Sequence, residues 1–234
     1  MKITFLQHSA FLVEAAEYTL LFDWTGEQPL PSFDRSLPLY VFASHHHGDH
    51  YTPRIFGLGM ERVTYILATC IRLSAKRKAG LGIDDRCVVR MSAGQTMQIG
   101  QLTVSTVRSN DAGVAFIVRS KNHSFFHAGD LNDWLWEGED PAWNERIGAA
   151  YRKSLQQLKG LQVDAAFLPL DPRLEQNYWL GVHGFMQVMD CKYLFPMHCW
   201  GDFSVIPRLK EMTESEAYRG KIVDIKQDEQ SFYI

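Results

Sequence analysis

The sequence predicts an α/β fold, a four-layer αββα sandwich of two mixed sheets with helices on the outside. Short apolar runs bounded by turn residues fill the first 45 residues and recur over 87–128, which indicates two strand-rich halves. Segments with helical periodicity lie between and after these halves, as layered α/β proteins require. No low-complexity linker separates the halves, so we expect a single domain over residues 1–234.

The first half is predicted to begin with strands and to continue with helices. Strands are expected over 3–6, 11–13, 20–22, 40–43 and 63–67. Helices are expected over 51–60 and 71–79, the second ending at Gly80.

The second half also interleaves strands with helices. Strands are expected over 87–90, 96–99, 102–107, 114–118, 124–128, 163–168, 193–195, 222–225 and 232–234. Helices are expected over 143–158, 174–190 and 205–215.

Composition and charge exclude several classes of protein. The chain has 24 Lys and Arg against 27 Asp and Glu, and its net charge of −3 disfavours a protein that coats nucleic acid. The sequence has no run of 18 or more predominantly apolar residues, so no membrane span is predicted. The four cysteines are widely spaced, which argues against a disulfide scaffold, and Glu14 and Glu17 come too early for a secretory signal. We therefore expect a cytoplasmic protein.

The placement of histidine is the strongest functional signal in the sequence. Four of the nine histidines lie within residues 45–50, directly after an apolar strand that ends at Ser44. In extended backbone His45 and His47 point to the same side, whereas His46 points to the other. His46 is therefore not expected to bind a metal.

A tight turn at Gly48 is expected to bring Asp49 and His50 toward the first histidines. Three imidazoles and one carboxylate form a nitrogen and oxygen ligand set that suits zinc, manganese or iron. The sequence thus predicts one or two divalent metal ions, with zinc the first choice.

These residues give the sequence a resemblance to a known family. His45, His47, Asp49 and His50 match H-x-H-x-D-H, the signature of the metallo-β-lactamase superfamily. Asp130 and His198 each end an apolar strand and follow in the family's order. Segments 3–9 and 21–23 are most similar to the single-domain branch that includes sugar-phosphate lactonases and metal-dependent hydrolases.

The resemblance implies a six-residue metal site. Its ligands would be His45, His47, Asp49, His50, Asp130 and His198. Asp130 would bridge two metals, in keeping with the two oxygens of a carboxylate, and His198 would complete the second metal. Asp49 is also the implied catalytic residue, which orients the attacking water and accepts its proton.

One family ligand is missing. Asn110 occupies the position at which the family has another metal-binding histidine. Asn110, Asp111 or a water could complete the first metal site. His8 and His183 are further candidates for the pocket or for proton transfer, although a packing role suits each equally well.

These features predict a metal-dependent hydrolase that directs a metal-activated water at a small ester, lactone or phosphoester. A catalytically weak metal-binding or regulatory protein is one alternative, because the first metal site lacks a ligand. A metal-dependent phosphodiesterase or nuclease is another. The expected partner is a small-molecule substrate; a homo-oligomer is left open, and neither membrane nor nucleic acid is expected.

Overall fold

The computed structural model describes residues 1–234, apart from the side chain of residue 77. The chain divides into two compact units, residues 1–92 together with 228–234, and residues 93–227. Each unit is built on one mixed sheet. The predicted class, two mixed sheets with helices, is confirmed; the single domain and the four-layer stacking stay predictions.

The strands and helix of the first unit are β1 (Lys2–Gln7), β2 (Ala10–Glu14), β3 (Thr19–Phe22), β4 (Leu39–Ala43), β5 (Val63–Ala68), α1 (Ala75–Gly80) and β6 (Val88–Met91). The second unit contains β7 (Thr96–Ile99), β8 (Leu102–Arg108), β9 (Val114–Arg119), β10 (Ser124–His127), α2 (Pro141–Leu155), β11 (Gln162–Pro169), α3 (Leu180–Val188), β12 (Asp190–Met197) and α4 (Val205–Glu211). The last strand, β13 (Gln230–Tyr233), belongs to the first unit.

The first sheet has the strand order β13-β1-β2-β3-β4-β5-β6. Its strands from β3 to β6 are parallel, and the remaining pairs are antiparallel. Every residue of β3 and β4 is buried, as their continuous apolar sequences require. Carboxyl ends of parallel strands meet at one sheet edge, so the residues after β3, β4 and β5 are neighbours.

The second sheet has the order β12-β11-β10-β9-β8-β7. Strands β10, β11 and β12 are parallel, and the others are antiparallel. Buried phenylalanines fill the core of this unit, among them Phe116, Phe125, Phe126, Phe167 and Phe195. The residues that follow β10, β11 and β12 again share one edge.

Several predicted helices are shorter in the structure. Only Pro53–Gly57, as a 3-10 helix, forms within 51–60, and α1 begins at Ala75, later than the predicted start at 71. Conversely, β12 spans eight residues where a core of three was predicted. The predicted strand 222–225 is limited to an isolated bridge between Leu194 and Ile222. No helix among the described residues combines the length and apolar character that a membrane span requires.

Candidate metal centre

The histidine cluster forms a turn directly after β4. The backbone N–H groups of His50 and Tyr51 both donate to the carbonyl of His47, at 3.1 and 2.9 Å. The His45 ring lies 4.6 Å from the His47 ring and 4.2 Å from the His50 ring, between centroids. The predicted convergence of these three imidazoles is present within the first unit.

Gly48 is not needed for this turn in the way its sequence position suggested. Its φ lies outside the left-handed region, and a Cβ at this position would have no neighbour within 4 Å. The turn is instead stabilised by the two backbone hydrogen bonds to His47. The predicted tight turn is present, although it does not use a backbone conformation that only glycine allows.

Asp23, the residue after β3, supports the histidine cluster through hydrogen bonds to Ser44 and to the Nδ1 side of His50. Its carboxylate is fully buried and accepts hydrogen bonds from the Ser44 N–H at 2.7 Å, the Ser44 hydroxyl at 2.5 Å and His50 Nδ1 at 2.8 Å. The Ser44 hydroxyl also lies 3.0 Å from His45 Nδ1. One buried carboxylate thus orients two of the predicted ligand histidines.

These contacts determine which ring nitrogens can bind a metal. Because the Asp23 carboxylate only accepts hydrogen bonds, His50 Nδ1 must carry the proton. Ser44 gives its single hydroxyl proton to Asp23, so its oxygen accepts the proton of His45 Nδ1. Both histidines therefore present a lone pair at Nε2, which is the form that binds a metal.

The donor set of the first unit fits a divalent metal. Nitrogen and oxygen atoms of Asp23, His45 and His50 all lie within 4.8 Å of one another, with Asp23 on the Nδ1 side of His50, opposite the proposed metal-binding Nε2. His45 and His50 are completely buried, whereas His47 is exposed. Buried imidazoles backed by a carboxylate are the usual arrangement of protein metal sites, and neutral imidazole suits zinc, manganese or iron.

Asp49 and His8 form a pair beside this turn. His8 Nε2 lies 3.4 Å from Asp49 Oδ2, and His50 Nε2 lies 3.9 Å from the same oxygen. Burial raises the pKa of Asp49, but polar contacts, chiefly the hydrogen bond from His8, outweigh burial and hold this pKa well below its usual range. In the first unit, His8 is therefore placed to orient the predicted catalytic carboxylate.

The second unit contains an aspartate–histidine pair, Asp171 and His198, after the ends of β11 and β12. This pair is equivalent to Asp23 and His50 of the first unit. His198 Nδ1 lies 2.9 Å from Asp171 Oδ2, and His198 Nε2 lies 3.5 Å from Asp130 Oδ1. Asp171 is completely buried. Burial raises its pKa, but the hydrogen bonds from His198 and Arg173 outweigh burial and lower the pKa to about 2. His198 consequently directs Nε2 toward the predicted bridging carboxylate.

Arg173 completes the support of this histidine. Its guanidinium donates to both oxygens of Asp171, with the shortest N–O distance 2.6 Å. It also lies over the Trp200 ring at 4.2 Å and the Trp136 ring at 5.5 Å, measured to the centroids. Trp200 is half exposed, and its ring centroid is 5.6 Å from that of His198. The planar Arg173 guanidinium thus links the Asp171 carboxylate to two tryptophan rings.

Asn110 has a structural role within the second unit. Its amide nitrogen donates to the carbonyls of Asn132 and Ile147, at 2.8 and 3.2 Å, and its oxygen accepts from the Asn132 N–H at 3.2 Å. These bonds tie the end of β8 to the segment that follows Asp130. Asp111 is exposed beside it, and its backbone N–H donates to the Ser109 hydroxyl at 3.2 Å.

Two other histidines of the second unit occupy packing positions. His127 is fully buried against Phe167, and its Nδ1 accepts from the Gly129 N–H at 3.2 Å. His183 belongs to α3, where its ring packs beside Trp179 and its Nδ1 lies 3.5 Å from the Tyr218 hydroxyl.

Unusual backbone conformations concentrate at these clusters. His8, Asp23, His198 and Trp200 have φ angles of 52°, 42°, 62° and 51°. The left-handed region is unfavourable for residues with a side chain, and such conformations persist where the surroundings enforce them, often at functional sites.

Asp23, Ser44, Asp171 and Arg173 were not predicted as parts of the site. Asp171 follows an apolar strand as Asp130 does, so a carboxylate after each parallel strand was the available signal. The contacts of Arg173 with two tryptophans have no local sequence pattern. Only the folded structure reveals them.

In an α/β fold, histidines and aspartates at the carboxyl ends of parallel strands offer the donor atoms that metal-binding sites use, and comparisons identify the family. Residues 2–139 match the family described as beta-lactamase superfamily domain. Because this match covers more than half of the sequence, the chain belongs to that family.

Relatives carry the description "UPF0173 metal-dependent hydrolase". One from Opitutus terrae is 30% identical over 146 residues, covering 56% of this chain and 63% of the relative. One from Desulforamulus reducens is 48% identical over 52 residues, covering 21% and 23%. The chain thus spans less than two thirds of the length of these curated relatives.

A solved structure shares the fold. It is that of a protein from Parabacteroides distasonis for which metal-dependent hydrolysis is suggested. The TM-score is 0.63 at 18% sequence identity, with 96% of this chain and 92% of the other covered.

Proposed function

We propose that this protein is a metal-dependent hydrolase acting on a small ester, lactone or phosphoester. The observation that carries the proposal is the pair of buried carboxylates, Asp23 and Asp171, that fix the Nδ1 protons of His50 and His198. Histidines that serve only in core packing do not require a buried carboxylate at Nδ1. Such a carboxylate fixes the proton on Nδ1 and turns Nε2 to the opposite side, as metal binding requires.

The proposed ligands are His45, His47, Asp49, His50, Asp130 and His198. Family membership and the donor chemistry of each unit support this assignment. We propose one or two divalent ions, with zinc preferred for its affinity for imidazole and carboxylate, and with manganese or iron as alternatives. When bound, such an ion would lower the pKa of water to about 7 and polarise the carbonyl or phosphoryl oxygen, which makes the attacked carbon or phosphorus more electrophilic.

The residues of the chain orient the attacking water, accept its proton and hold the ligand histidines in place. Asp49 orients the attacking water and accepts its proton, and His8, 3.4 Å from Asp49 Oδ2, orients Asp49 in turn. Asp23 and Asp171 keep the histidines in the tautomer that leaves Nε2 available. All four cysteines are thiols, which is typical of cytosolic proteins, and we propose a cytoplasmic location.

The test combines metal analysis with a substrate panel. Elemental analysis of the purified protein should detect a divalent metal, and hydrolysis should appear with at least one lactone, thioester or phosphodiester. His45→Ala should lose both, whereas the control His123→Ala, a turn residue of the second unit, should keep both. A His45→Ala protein identical to wild type in metal content and hydrolysis would refute the proposal.

A catalytically weak metal-binding protein is the second candidate. It is favoured by Asn110, whose amide is committed to backbone groups where the family has a ligand. This candidate predicts bound metal in wild type and in His123→Ala, but no hydrolysis of any panel member above the His45→Ala rate.

A further inference from the structure

A cavity of about 750 Å³ lies in the first unit beside the histidine turn. His46, from between the proposed ligands His45 and His47, lines it together with Tyr51, Thr69 and Arg72. This volume is in the range of small-molecule sites. The function proposed above uses none of these side chains.

Arg90 fixes the wall of the cavity that carries Arg72. Its guanidinium donates to the carbonyls of Ala68, Thr69 and Ile71, which follow β5. The Thr69 N–H also donates to the Met91 carbonyl, and Ile71 is buried. The backbone that presents Arg72 is therefore held in place before any ligand binds.

The cavity has a positive lining. Arg72 is exposed, and among the described residues no carboxylate pairs with it. Burial raises the pKa of the Cys70 thiol, so this wall carries no thiolate at neutral pH. Asp49, the nearest acid in sequence to His46, is directed to His8. An anionic group entering the cavity would meet Arg72 and His46 without a competing carboxylate.

From this geometry we infer that the cavity binds an anionic group of the substrate, a carboxylate or a phosphate, through Arg72 and His46. The inference rests on the proposed hydrolase function and names its substrate class: a small molecule whose scissile bond lies near an anion. Arg72 is thus a specificity-determining residue, since its forked donors match both anions.

The test uses the full chain after treatment with a chelator, so that it depends on neither metal nor hydrolysis. Isothermal titration calorimetry with inorganic phosphate and with acetate measures anion binding. Replacing Arg72 removes a charge-assisted contact, so Arg72→Ala should weaken binding by about tenfold or more. Arg72→Lys should lose less, and Arg119→Ala, an exposed arginine on the second unit, should lose nothing.

Each outcome decides the inference. Binding of phosphate alone identifies phosphorylated substrates, and binding of acetate alone identifies carboxylates. Failure of wild type to bind either anion, or equal affinity in Arg72→Ala and wild type, would overturn the inference. A protein that binds the anion but hydrolyses nothing would refute the proposed function and leave the anion site standing.

Discussion

At the scale of single residues, the site depends on carboxylates that contact the proposed ligand histidines and not the proposed metal itself. Asp23 holds His50 and, through Ser44, His45; Asp171 holds His198. Both carboxylates are buried, so each is stable as an anion only because several donors surround it. The same donors fix the orientation of the carboxylate and therefore of the imidazole.

Asp171→Asn should weaken metal binding. An asparagine can turn its N–H₂ toward His198 Nδ1, which would favour the tautomer with its proton on Nε2. Loss of such a partner typically lowers metal affinity by about 10–100-fold. Zinc binding measured by competition with a chromogenic chelator checks this. Asp164→Asn, at a carboxylate that holds Ser124 and Lys192, is the matched control and should keep its zinc affinity.

The predictable part of the site was the part with a short, local pattern. His45, His47 and His50 could be placed together because a strand period of two and a turn relate them. Arg173 could not, because its position depends on two tryptophans distant in sequence, Trp136 and Trp200. The predicted turn at Gly48 is present, with a φ that other residues also allow.

At the scale of elements, strands were easier to predict than helices. The continuous apolar runs of β3 and β4 are buried on both faces and have no competing interpretation. The segment 51–60 contains Pro53, Gly57 and Gly59, which limit helix formation to one short 3-10 turn. The extent of β12 was underestimated because its exposed residues interrupt the apolar run.

Gly181→Ala should destabilise the second unit. Alanine normally favours a helix by up to about 1 kcal/mol over glycine. Here a Cβ would overlap the Asn132 side chain, and overpacking of this kind costs about 1–3 kcal/mol, so the clash should dominate. Urea unfolding should show the loss. Gly220→Ala, where a Cβ has open space, is the control; equal stability of both variants would contradict the prediction.

Asp164 should make stability depend on pH. Burial raises its pKa, but the hydrogen bonds from Lys192 and Ser124 outweigh burial and lower it. A lowered pKa in the folded state stabilises above the unfolded value of about 3.9, and this contribution is lost as pH falls through the folded pKa.

Asp164→Asn should therefore reduce the free energy of unfolding by about 1–2 kcal/mol at pH 7. The difference from wild type should shrink below about pH 4. Urea unfolding at pH 7 and pH 3 measures both. Glu216→Gln, at an exposed position, should match wild type throughout; an Asp164→Asn deficit of equal size at both pH values would be evidence against the ionic contribution.

At the scale of the whole molecule, both units contain the same arrangement of an aspartate and a histidine after neighbouring parallel strands. In each, an aspartate follows one strand and a histidine follows the next parallel strand, 27 residues later, with Nδ1 bound to the carboxylate. Parallel pairing explains the recurrence, because it brings successive carboxyl ends to one edge. The sequence order of these residues was predictable; their carboxylate partners required the strand pairing.

Removing metal should lower the thermal stability of the intact protein. A ligand that binds only the folded state at 100 times its Kd stabilises it by about 2.7 kcal/mol. For a chain of this size that corresponds to a shift in Tm of roughly 5–11 °C. Differential scanning calorimetry with added zinc and with chelator measures the shift. In His45→Ala the shift should shrink, whereas in His123→Ala it should match wild type.

We propose that the oriented histidines of both units bind metal through Nε2. A crystal structure grown with zinc, with anomalous data collected at the zinc edge, tests it most directly. Anomalous density is expected at about 2.0–2.1 Å from Nε2 of His45, His50 and His198, with the Asp23 and Asp171 hydrogen bonds retained. A fully formed crystal without density at these atoms, or with zinc bound only elsewhere, would contradict it.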